Sequence, residues 1–381
     1  MSVLTTDIEG LLALGPDGRH PASAALGVVT GETREVAVGG WAVLPGAEGP
    51  GVPMSRDTLF DQASVTKVAV TTLLAMRLVA DGQLDLSDLV RRYLPAFAGD
   101  GKDDVTLEHL LTHTAGLRPW WPLYCETTDR DGAVRWVQEA PLVSAPGTAW
   151  AYSDLGLILA GSVLEAVTSM SLADAFRTRV AEPLGIGAQF GPVPPERAAV
   201  SADDDAYEYA MVATSTPYAV PFGPERFSGW RETPLRGAVR DGNVAHALGG
   251  VAGHAGLFAT VDDLLTLGTA VRRAEIVPAE VLERFAVASP VEPEQAVGFR
   301  RRVLSVDGED VTLLHHPGFT GTWFGFTLER DLVVAGGAMR LYGTVSPLAY
   351  DAPPTALPEL IPSDEIQAIV LAAALRESPE P

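Results

Sequence analysis

A single cysteine, Cys125, occurs among the 381 residues, so the chain forms no internal disulfide. Its neighbours Tyr124 and Glu126 provide no electropositive niche for a reactive thiol, which favours a structural role. No stretch reaches the roughly 18 consecutive apolar residues that a membrane-spanning helix needs. The N-terminal sequence also lacks the basic start and apolar run of a secretory signal. We therefore expect a cytoplasmic protein that is not bound to a membrane.

Basic residues are scarce as well. Lys and Arg total 27 against 49 Asp and Glu, and the formal net charge is −22. A chain this acidic is repelled by nucleic acid and by anionic membranes, so neither is expected as a partner. The charge fits a well-solvated surface around a large core, since 47% of the residues are hydrophobic. The sequence leaves the oligomeric state open.

Signals for metals and cofactors are missing. The seven histidines are scattered without the spacing of metal ligands. Residues 249–256 are rich in glycine, but no lysine follows them as a phosphate-binding loop requires. His254, within this segment, and His113 are interpreted as histidines that bond the backbone. The sequence therefore indicates no metal and no cofactor.

Strand patterns occur at both ends of the chain and helix patterns in the middle. Alternating or β-branched runs predict strands at 26–30, 35–43, 298–306, 311–315, 322–328 and 332–338. Gly31-Glu32 and Glu329-Arg330-Asp331 are the expected hairpin turns. Helices are predicted at 4–14, 64–80, 155–167, 172–180, 261–271, 278–285 and 364–375. The helix at 64–80 has almost no polar face, which is typical of a buried helix.

This arrangement predicts an α/β (α+β) fold, in which the two ends of the chain build one antiparallel sheet flanked by helices. We expect a sheet domain of residues 1–82 plus 291–381 and an inserted, mostly helical domain of residues 83–290. Residues 187–245 are rich in proline, glycine and aromatics, which favours a lid-like loop. The crevice between the domains is the expected site of chemistry.

Ser64 and Lys67 are the first candidates for that chemistry. Positions three apart share a helix face, so Ser64 Oγ and Lys67 Nζ can meet. Ser64 would lie in the first helical turn, where the helix dipole favours developing negative charge. A serine needs a base, and a buried lysine can be one. Alone, the pattern fits a helix-capping serine with a snorkelling lysine better, because such caps are common.

Two further segments strengthen the assignment. Tyr152 precedes a predicted helix and can share the role of base with Lys67. Asp154 can cap that helix, bond the lysine or bind substrate. His316 begins the turn His316-Pro317-Gly318-Phe319, where Gly318 would let a substrate carbonyl approach the backbone and the Phe319 N–H would join the Ser64 N–H in an oxyanion hole. An exposed histidine at a strand end is the alternative for His316.

The three motifs together resemble the serine β-lactamase and penicillin-binding-protein superfamily, in its class C β-lactamase-like branch of esterases and D-amino-acid peptidases. The resemblance spans roughly residues 57–340 in the right order, with support from 60–67, 110–117 and 249–258. It implies a β-lactamase/transpeptidase-like fold, an acylated Ser64, and Lys67 with Tyr152 as the acid/base pair. Asp154 stands where many members have asparagine.

The departures from the family pattern bear on the substrate. His316 stands where true β-lactamases have lysine, and a neutral imidazole suits neutral esters or amides better than carboxylates. Trp120 and Trp121 lie in a loop region and are candidates for an apolar acyl pocket. We therefore predict a serine hydrolase acting on small esters or amides. Acyl transfer to an alcohol or amine is the alternative, followed by β-lactamase, D-amino-acid peptidase and non-catalytic binding functions.

Overall fold

A computed structural model describes residues 3–15, 19–47, 49–306, 308–343 and 354–376. The N-terminal hairpin forms as predicted: β1 (Ser23–Thr30) and β2 (Thr33–Val43) are joined at Gly31-Glu32, with Thr30 opposite Thr33. Gly31 has a φ of 57°, a left-handed conformation that glycine adopts without strain. The two-residue turn therefore fixes the register of the hairpin.

The C-terminal strands complete a seven-stranded antiparallel sheet. Its remaining strands are β3 (Val52–Pro53), β7 (Arg300–Val306), β8 (Glu309–Pro317), β9 (Thr322–Thr327) and β10 (Leu332–Ala338). The strand order is β3-β2-β1-β10-β9-β8-β7, so β1 pairs directly with β10. The predicted antiparallel sheet built from both ends of the chain is thus confirmed.

Helices cover both faces of this sheet. Along β1, Ala24 and Leu26 belong to one apolar cluster while Ala25 and Val29 belong to another, as expected when alternate side chains point to opposite faces. The first cluster lies under α1 (Val3–Leu12) and α12 (Ser363–Ala374). The second is the main core of the protein.

The main core is built around the predicted buried helix. A π-helical turn, Lys67–Thr72, continues as α2 (Leu73–Ala80), and all six residues of that turn are buried. The other helices are α3 (Leu107–Leu111), α4 (Arg130–Glu139), α5 (Asp154–Thr168), α6 (Leu172–Phe176), α7 (Glu182–Leu184), α8 (Ala206–Thr214), α9 (Gly242–His246), α10 (Val261–Arg272) and α11 (Ala279–Phe285). Residues Arg177–Ala181 form a second π-helical turn.

The segment 187–245 contains more regular structure than its composition predicts. It holds the two helices α8 and α9 and the short strand β5 (Gln189–Phe190). That strand pairs with β6 (Leu257–Ala259), which pairs with β4 (Phe60–Asp61) just before Ser64. Tertiary pairing overrides weak local periodicity here.

The division into a sheet domain and an inserted domain stays a prediction. Helix α10 comes from within the predicted insertion, yet it packs on strands β1, β9 and β10 of the large sheet. Its apolar residues include Leu264 and Leu265, which join the main core. Among the described helices none is by itself long and apolar enough to cross a membrane, although α5 and Leu172–Leu184, bent by 71°, pass that test as a pair.

Candidate active site

The backbone before Ser64 is held in a strained turn. Ala63 has a φ of 44°, a conformation that side-chain-bearing residues rarely adopt. Its N–H donates to Asp61 Oδ1 over 2.9 Å, which ties the turn to strand β4. Strain of this kind persists only where the surroundings impose it, and it concentrates at functional sites. Ser64 therefore enters the helix from a fixed direction.

Lys67 lies directly beneath Ser64. Its Nζ donates to Ser64 Oγ over 2.7 Å and to the His254 carbonyl over 3.1 Å. It also forms an ion pair with Asp154, at 2.8 Å from Oδ1. The side chain is 1% exposed. The predicted contact between Ser64 Oγ and Lys67 Nζ is thus present. The glycine-rich segment 249–256 supplies the His254 carbonyl, which accepts a second hydrogen bond from the lysine.

The charge of Lys67 is set by two opposing effects. Burial lowers the pKa of its ammonium, but the Asp154 carboxylate and Tyr152 raise it by more, so the pKa lies above the usual value. Asp154 is the first residue of α5, whose N-cap is Ser153: Ser153 Oγ accepts from the Gly156 N–H over 3.1 Å. Asp154 is therefore not the cap of the helix, and its carboxylate serves the lysine.

Tyr152 is positioned by His113. The two rings lie 4.7 Å apart, and His113 Nδ1 accepts a 3.0 Å hydrogen bond from the Ser153 N–H. Burial, followed by the charges of Lys67 and Arg300, lowers the pKa of His113 to about 3, so the imidazole is neutral. The interpretation of His113 as a backbone-bonding histidine is consistent with this geometry.

The Tyr152 side chain completes the contacts around Lys67. Lys67 Nζ lies 4.9 Å from the centre of the tyrosine ring. Burial raises the pKa of the Tyr152 hydroxyl, while Lys67 and hydrogen bonds to Lys67 and Ser64 counteract part of this shift. Ser64, Lys67 and Tyr152, which the sequence singles out as catalytic, thus lie in one cluster.

His316 is buried on strand β8 rather than exposed at a strand end. It is 3% exposed, and its ring centre lies 5.8 Å from that of Tyr152. Its Nδ1–H donates to the Pro317 carbonyl over 2.7 Å. Burial and the charge of Lys67 hold its pKa well below the usual range. The ring is therefore neutral, and Nε2 is an acceptor that has no partner in the described part of the chain.

Gly318 is required by packing of the protein itself. A Cβ at this position would lie 2.0 Å from Thr322 Oγ1 and 2.7 Å from the Gln62 carbonyl oxygen. This close contact joins the turn after β8 to the residues before Ser64. The next residue, Phe319, has an N–H that makes no hydrogen bond within the described residues, and the same is true of the Ser64 N–H.

Two cavities meet at Ser64. The larger, of about 320 Å³, is lined by Ser64, Trp150, Tyr152, Arg300, His316, Pro317, Gly318, Phe319, Arg340 and Ser363. The smaller, of about 160 Å³, is lined by Ala63, Ser64, Trp120, Tyr152, Asp154, Tyr207, Glu208, Met211, Pro217, Tyr218, Arg240, Asp241, Ala255 and Phe319. Both therefore give access to the serine hydroxyl.

The two tryptophans proposed for substrate binding separate in the structure. Trp120 lines the smaller cavity and stacks with Tyr218, with ring centres 6.0 Å apart. Trp121 lines neither cavity. It stacks on Trp136 at 5.3 Å and its Nε1–H donates to Glu126, so it packs between α4 and the loops.

Several residues that line the cavities are not indicated by any motif in the sequence. Arg300 and Arg340 line the larger cavity, and Glu208, Arg240 and Asp241 line the smaller one. They belong to none of the three motifs, and only the strand order and the packing of α8 and α9 bring them to Ser64. In the described residues, no group of three or more His, Cys, Asp or Glu side chains has an arrangement that fits a metal ion.

The fold and the motif geometry define a protein of the β-lactamase and penicillin-binding-protein type. The chain belongs to the beta-lactamase family, whose model matches residues 6–348. The resemblance stated from the motifs is therefore confirmed.

Curated relatives include a putative D-alanyl-D-alanine carboxypeptidase of Salmonella paratyphi B, which is 28% identical in an alignment of 272 residues that covers 65% of this chain and 60% of the relative. The corresponding protein of Salmonella enteritidis PT4 is 30% identical over 233 residues, covering 56% of this chain and 50% of that one. The chain thus spans three fifths or less of the length of these relatives.

Solved structures share the fold at low identity. The penicillin-binding protein from Bacillus halodurans has a TM-score of 0.68 and 19% identity, covering 98% of this chain and 99% of that chain. EstCE1, described as a hydrolase with promiscuous acyltransferase activity, has a TM-score of 0.65 and 22% identity, with 88% and 93% coverage. The class C β-lactamase from Rhodobacter sphaeroides has a TM-score of 0.65 and 19% identity, with 99% and 100% coverage.

Proposed function

We propose that this protein is a serine hydrolase that forms an acyl-enzyme on Ser64 and acts on esters or small amides. The observation that carries the proposal is the 2.7 Å hydrogen bond between Lys67 Nζ and Ser64 Oγ, at the junction of two cavities. A capping serine with a solvated lysine would leave the lysine exposed. Here Lys67 is buried and paired with Asp154. Burial of an ion pair costs desolvation free energy, and a catalytic role accounts for a lysine at this position.

Tyr152 is the proposed proton acceptor during acylation, in its ionised form, which the charge of Lys67 favours and whose fraction grows with pH. Ser64 Oγ attacks the carbonyl carbon, and its proton moves to Tyr152 as the new C–O bond forms. Asp154 keeps Lys67 charged, so the lysine stabilises the tyrosine oxygen by charge instead of accepting the proton itself. The proton then passes to the leaving alcohol or amine as its bond to the acyl carbon breaks. Water attacks the acyl-enzyme by the reverse route and frees Ser64.

The backbone N–H groups of Ser64 and Phe319 are the proposed oxyanion hole. Neither donates to an acceptor within the described residues. The contact between Gly318 and Gln62 holds their two chain segments together. Preorganised donors of this kind stabilise the negative charge that develops on the carbonyl oxygen.

The larger cavity suits a leaving group that has both a hydrogen-bond donor and negative charge. His316 Nε2 presents an unpaired acceptor. Arg300 and Arg340 line the same cavity, which has no carboxylate among its lining residues. The two arginines thus bring positive charge to the side of the site where the resemblance places a lysine, and Arg300 also forms a 3.4 Å ion pair with the exposed Glu294. The preference for uncharged substrates inferred from His316 alone does not extend to this side of the site.

Acyl transfer is the second candidate function. Two cavities that meet at Ser64 give room for the acyl group in one and an alcohol or amine acceptor in the other. Measurement of hydrolysis and transfer products in the presence of added amines separates the two reactions. A product that is entirely free acid at all amine concentrations excludes transfer.

Labelling with a fluorophosphonate probe tests the proposed nucleophile. Mass spectrometry should locate the adduct on Ser64, and Ser64→Ala should lose both the label and the hydrolysis of p-nitrophenyl esters. Ser305→Ala, at an exposed position on β7, is the matched control and should behave like the wild type. An unlabelled Ser64, with Ser64→Ala as active as the wild type, would exclude both enzymatic functions.

A further inference from the structure

The smaller cavity has a composition that the proposed catalysis does not require. Its walls are aromatic, and three carboxylates, Asp154, Glu208 and Asp241, converge on it beside Ser64. Its volume of about 160 Å³ is several times the roughly 30 Å³ that one water molecule occupies in the liquid. The aromatic residues lining it are Trp120, Tyr152, Tyr207, Tyr218 and Phe319.

Glu208 has unused hydrogen-bonding capacity at this cavity. The residue is 3% exposed, and its Oε1 makes no hydrogen bond of ordinary geometry within the described residues, where the buried Tyr124 hydroxyl is its polar neighbour. The other oxygen, Oε2, accepts from the Gly242 N–H over 3.0 Å. Burial, opposed by Arg240 and reinforced by Asp241, raises the pKa of Glu208 to about 7. A cation in the cavity would relieve this unfavourable burial.

The positive charges near the cavity are already engaged. Lys67 pairs with Asp154, and Arg240 lies 3.8 Å from Glu208 Oε2 with its guanidinium 4.5 Å from the centre of the Phe319 ring. Asp241 accepts from the Val244 N–H and lies 3.3 Å from His254 Nε2, so it has no lysine or arginine ion pair in the described residues. Its side chain is 22% exposed. Three carboxylates thus face two cations, Lys67 and Arg240, and the remaining negative charge, at Asp241, favours a cationic ligand.

Building on the proposed function, we propose that the smaller cavity binds the acyl part of the substrate and that this acyl group carries an ammonium, so aminoacyl esters or amides are the preferred donors. Carboxylates neutralise the ammonium, and the ring faces of Trp120, Tyr207 and Tyr218 attract it. The leaving group then occupies the larger cavity beside Arg300 and Arg340. One substrate would thus place its positive end and its negative or polar end on opposite sides of Ser64.

A pair of nearly isosteric substrates tests this assignment. Alanine p-nitroanilide, as both enantiomers, is compared with 2-methylpropanoyl p-nitroanilide, in which a methyl group replaces the ammonium. We expect kcat/KM of the better alanyl enantiomer to exceed that of the neutral compound at least tenfold. Equal values, or preference for the neutral compound or for succinyl p-nitroanilide, would overturn the proposal.

The variant Glu208→Gln tests the residue that carries the argument. The amide keeps an oxygen acceptor for the Gly242 N–H while removing the charge, and the ratio of the two kcat/KM values should fall at least threefold. Glu280→Gln, exposed on α11, removes the same charge elsewhere and should keep the wild-type ratio. An unchanged ratio in folded Glu208→Gln contradicts the assignment.

A measurement on the wild type avoids the risk that the variant misfolds. Tetramethylammonium should compete with p-nitrophenyl 2-methylpropanoate, raising KM without lowering kcat, whereas neutral tert-butanol should not. Equal effects of both compounds contradict an ammonium site. If Ser64 is labelled and neutral esters are hydrolysed without any ammonium preference, this inference fails alone. If Ser64 is never labelled, the proposed function fails with it.

Discussion

Lys67 and Asp154 form a buried ion pair, with 2.8 Å between Nζ and Oδ1, directly beneath the Ser64 hydroxyl. The carboxylate of Asp154, at the first residue of α5, supplies the negative charge of this pair. Asp154 raises the pKa of the lysine, and in the proposed mechanism this leaves Tyr152 as the acceptor of the serine proton. The first prediction concerns this pair.

Asp154→Asn should lower the pKa of Lys67, because burial then acts without the opposing carboxylate. The sequence has only two lysines, Lys67 and Lys102, so NMR of labelled lysine side chains resolves each one. We expect a decrease of more than one unit for Lys67 and no change for Lys102. An unchanged Lys67 pKa would show that Asp154 does not control it.

Tyr152→Phe tests which group accepts the serine proton. The phenyl ring keeps the packing on His113 but has no oxygen to accept the proton, so kcat/KM for p-nitrophenyl ester hydrolysis should fall about 100-fold or more. In the wild type, kcat/KM should rise with pH as the raised pKa of Tyr152 is approached. A folded Tyr152→Phe that keeps most of the wild-type kcat/KM would assign the role of base to Lys67.

His113 should matter through the placement of Tyr152. His113→Leu removes the acceptor of the Ser153 N–H and the ring contact with Tyr152, and kcat/KM should fall about 10- to 100-fold. His113→Asn restores an acceptor and tolerates the φ of 58°, so it should recover part of the loss. Steady-state kinetics and thermal unfolding of both variants separate placement from stability. Equal losses in both would contradict this role.

His315 makes the fold sensitive to acid. Burial, with Arg302 and Arg300 nearby, lowers its pKa to about 3 from the usual 6.5, so the unfolded chain binds the proton first as pH falls. Its stabilising contribution is therefore complete above pH 6.5 and declines towards pH 3, by up to about 1.4 kcal/mol per pH unit.

His315→Phe tests this dependence, because a phenyl ring can keep the stacking on Trp323, whose ring centre lies 5.4 Å away. Urea unfolding at pH 7, 6 and 5 gives the free energy of unfolding of both proteins. The value for the variant minus that for the wild type should increase each time the pH is lowered. A constant difference between the two proteins across these pH values would contradict the assigned pKa.

Arg300 should favour negatively charged leaving groups. For an amide whose leaving amine carries a carboxylate, Arg300→Gln should lower kcat/KM about tenfold relative to the corresponding methyl ester. Arg302→Gln, two residues further along β7 and exposed, is the control for the loss of charge. Equal changes for both substrates would show that Arg300 does not bind the leaving group.

Local patterns predicted much of the fold. Gly31-Glu32 specifies a hairpin because the turn and the flanking β-branched residues agree. Ser64 and Lys67 meet because a spacing of three is inherent in a helix. The same reasoning could not find helix α8, since its sequence has weak periodicity and is stabilised by contacts with distant residues.

The charges around the site depend on strand order and chain packing, which no local pattern contains. His316 is buried where the end of β8 meets the segment before α5, with its ring centre 5.8 Å from that of Tyr152. Arg340 reaches the larger cavity from beyond β10, where its Nε–H donates to the Phe319 carbonyl over 2.8 Å. The sequence therefore predicted the nucleophile and its neighbours better than the preference for substrate charge.

The pairing of β1 with β10 has a consequence for synthesis on the ribosome. Ala24 lies opposite Ala338, so the centre of the sheet joins residues that emerge from the ribosome far apart in time. At about 5–20 residues per second, the nascent N-terminal hairpin waits roughly 15–60 seconds for its partner strand. Throughout that interval β1 has an unpaired edge, and a chaperone that covers this edge would favour productive folding over aggregation.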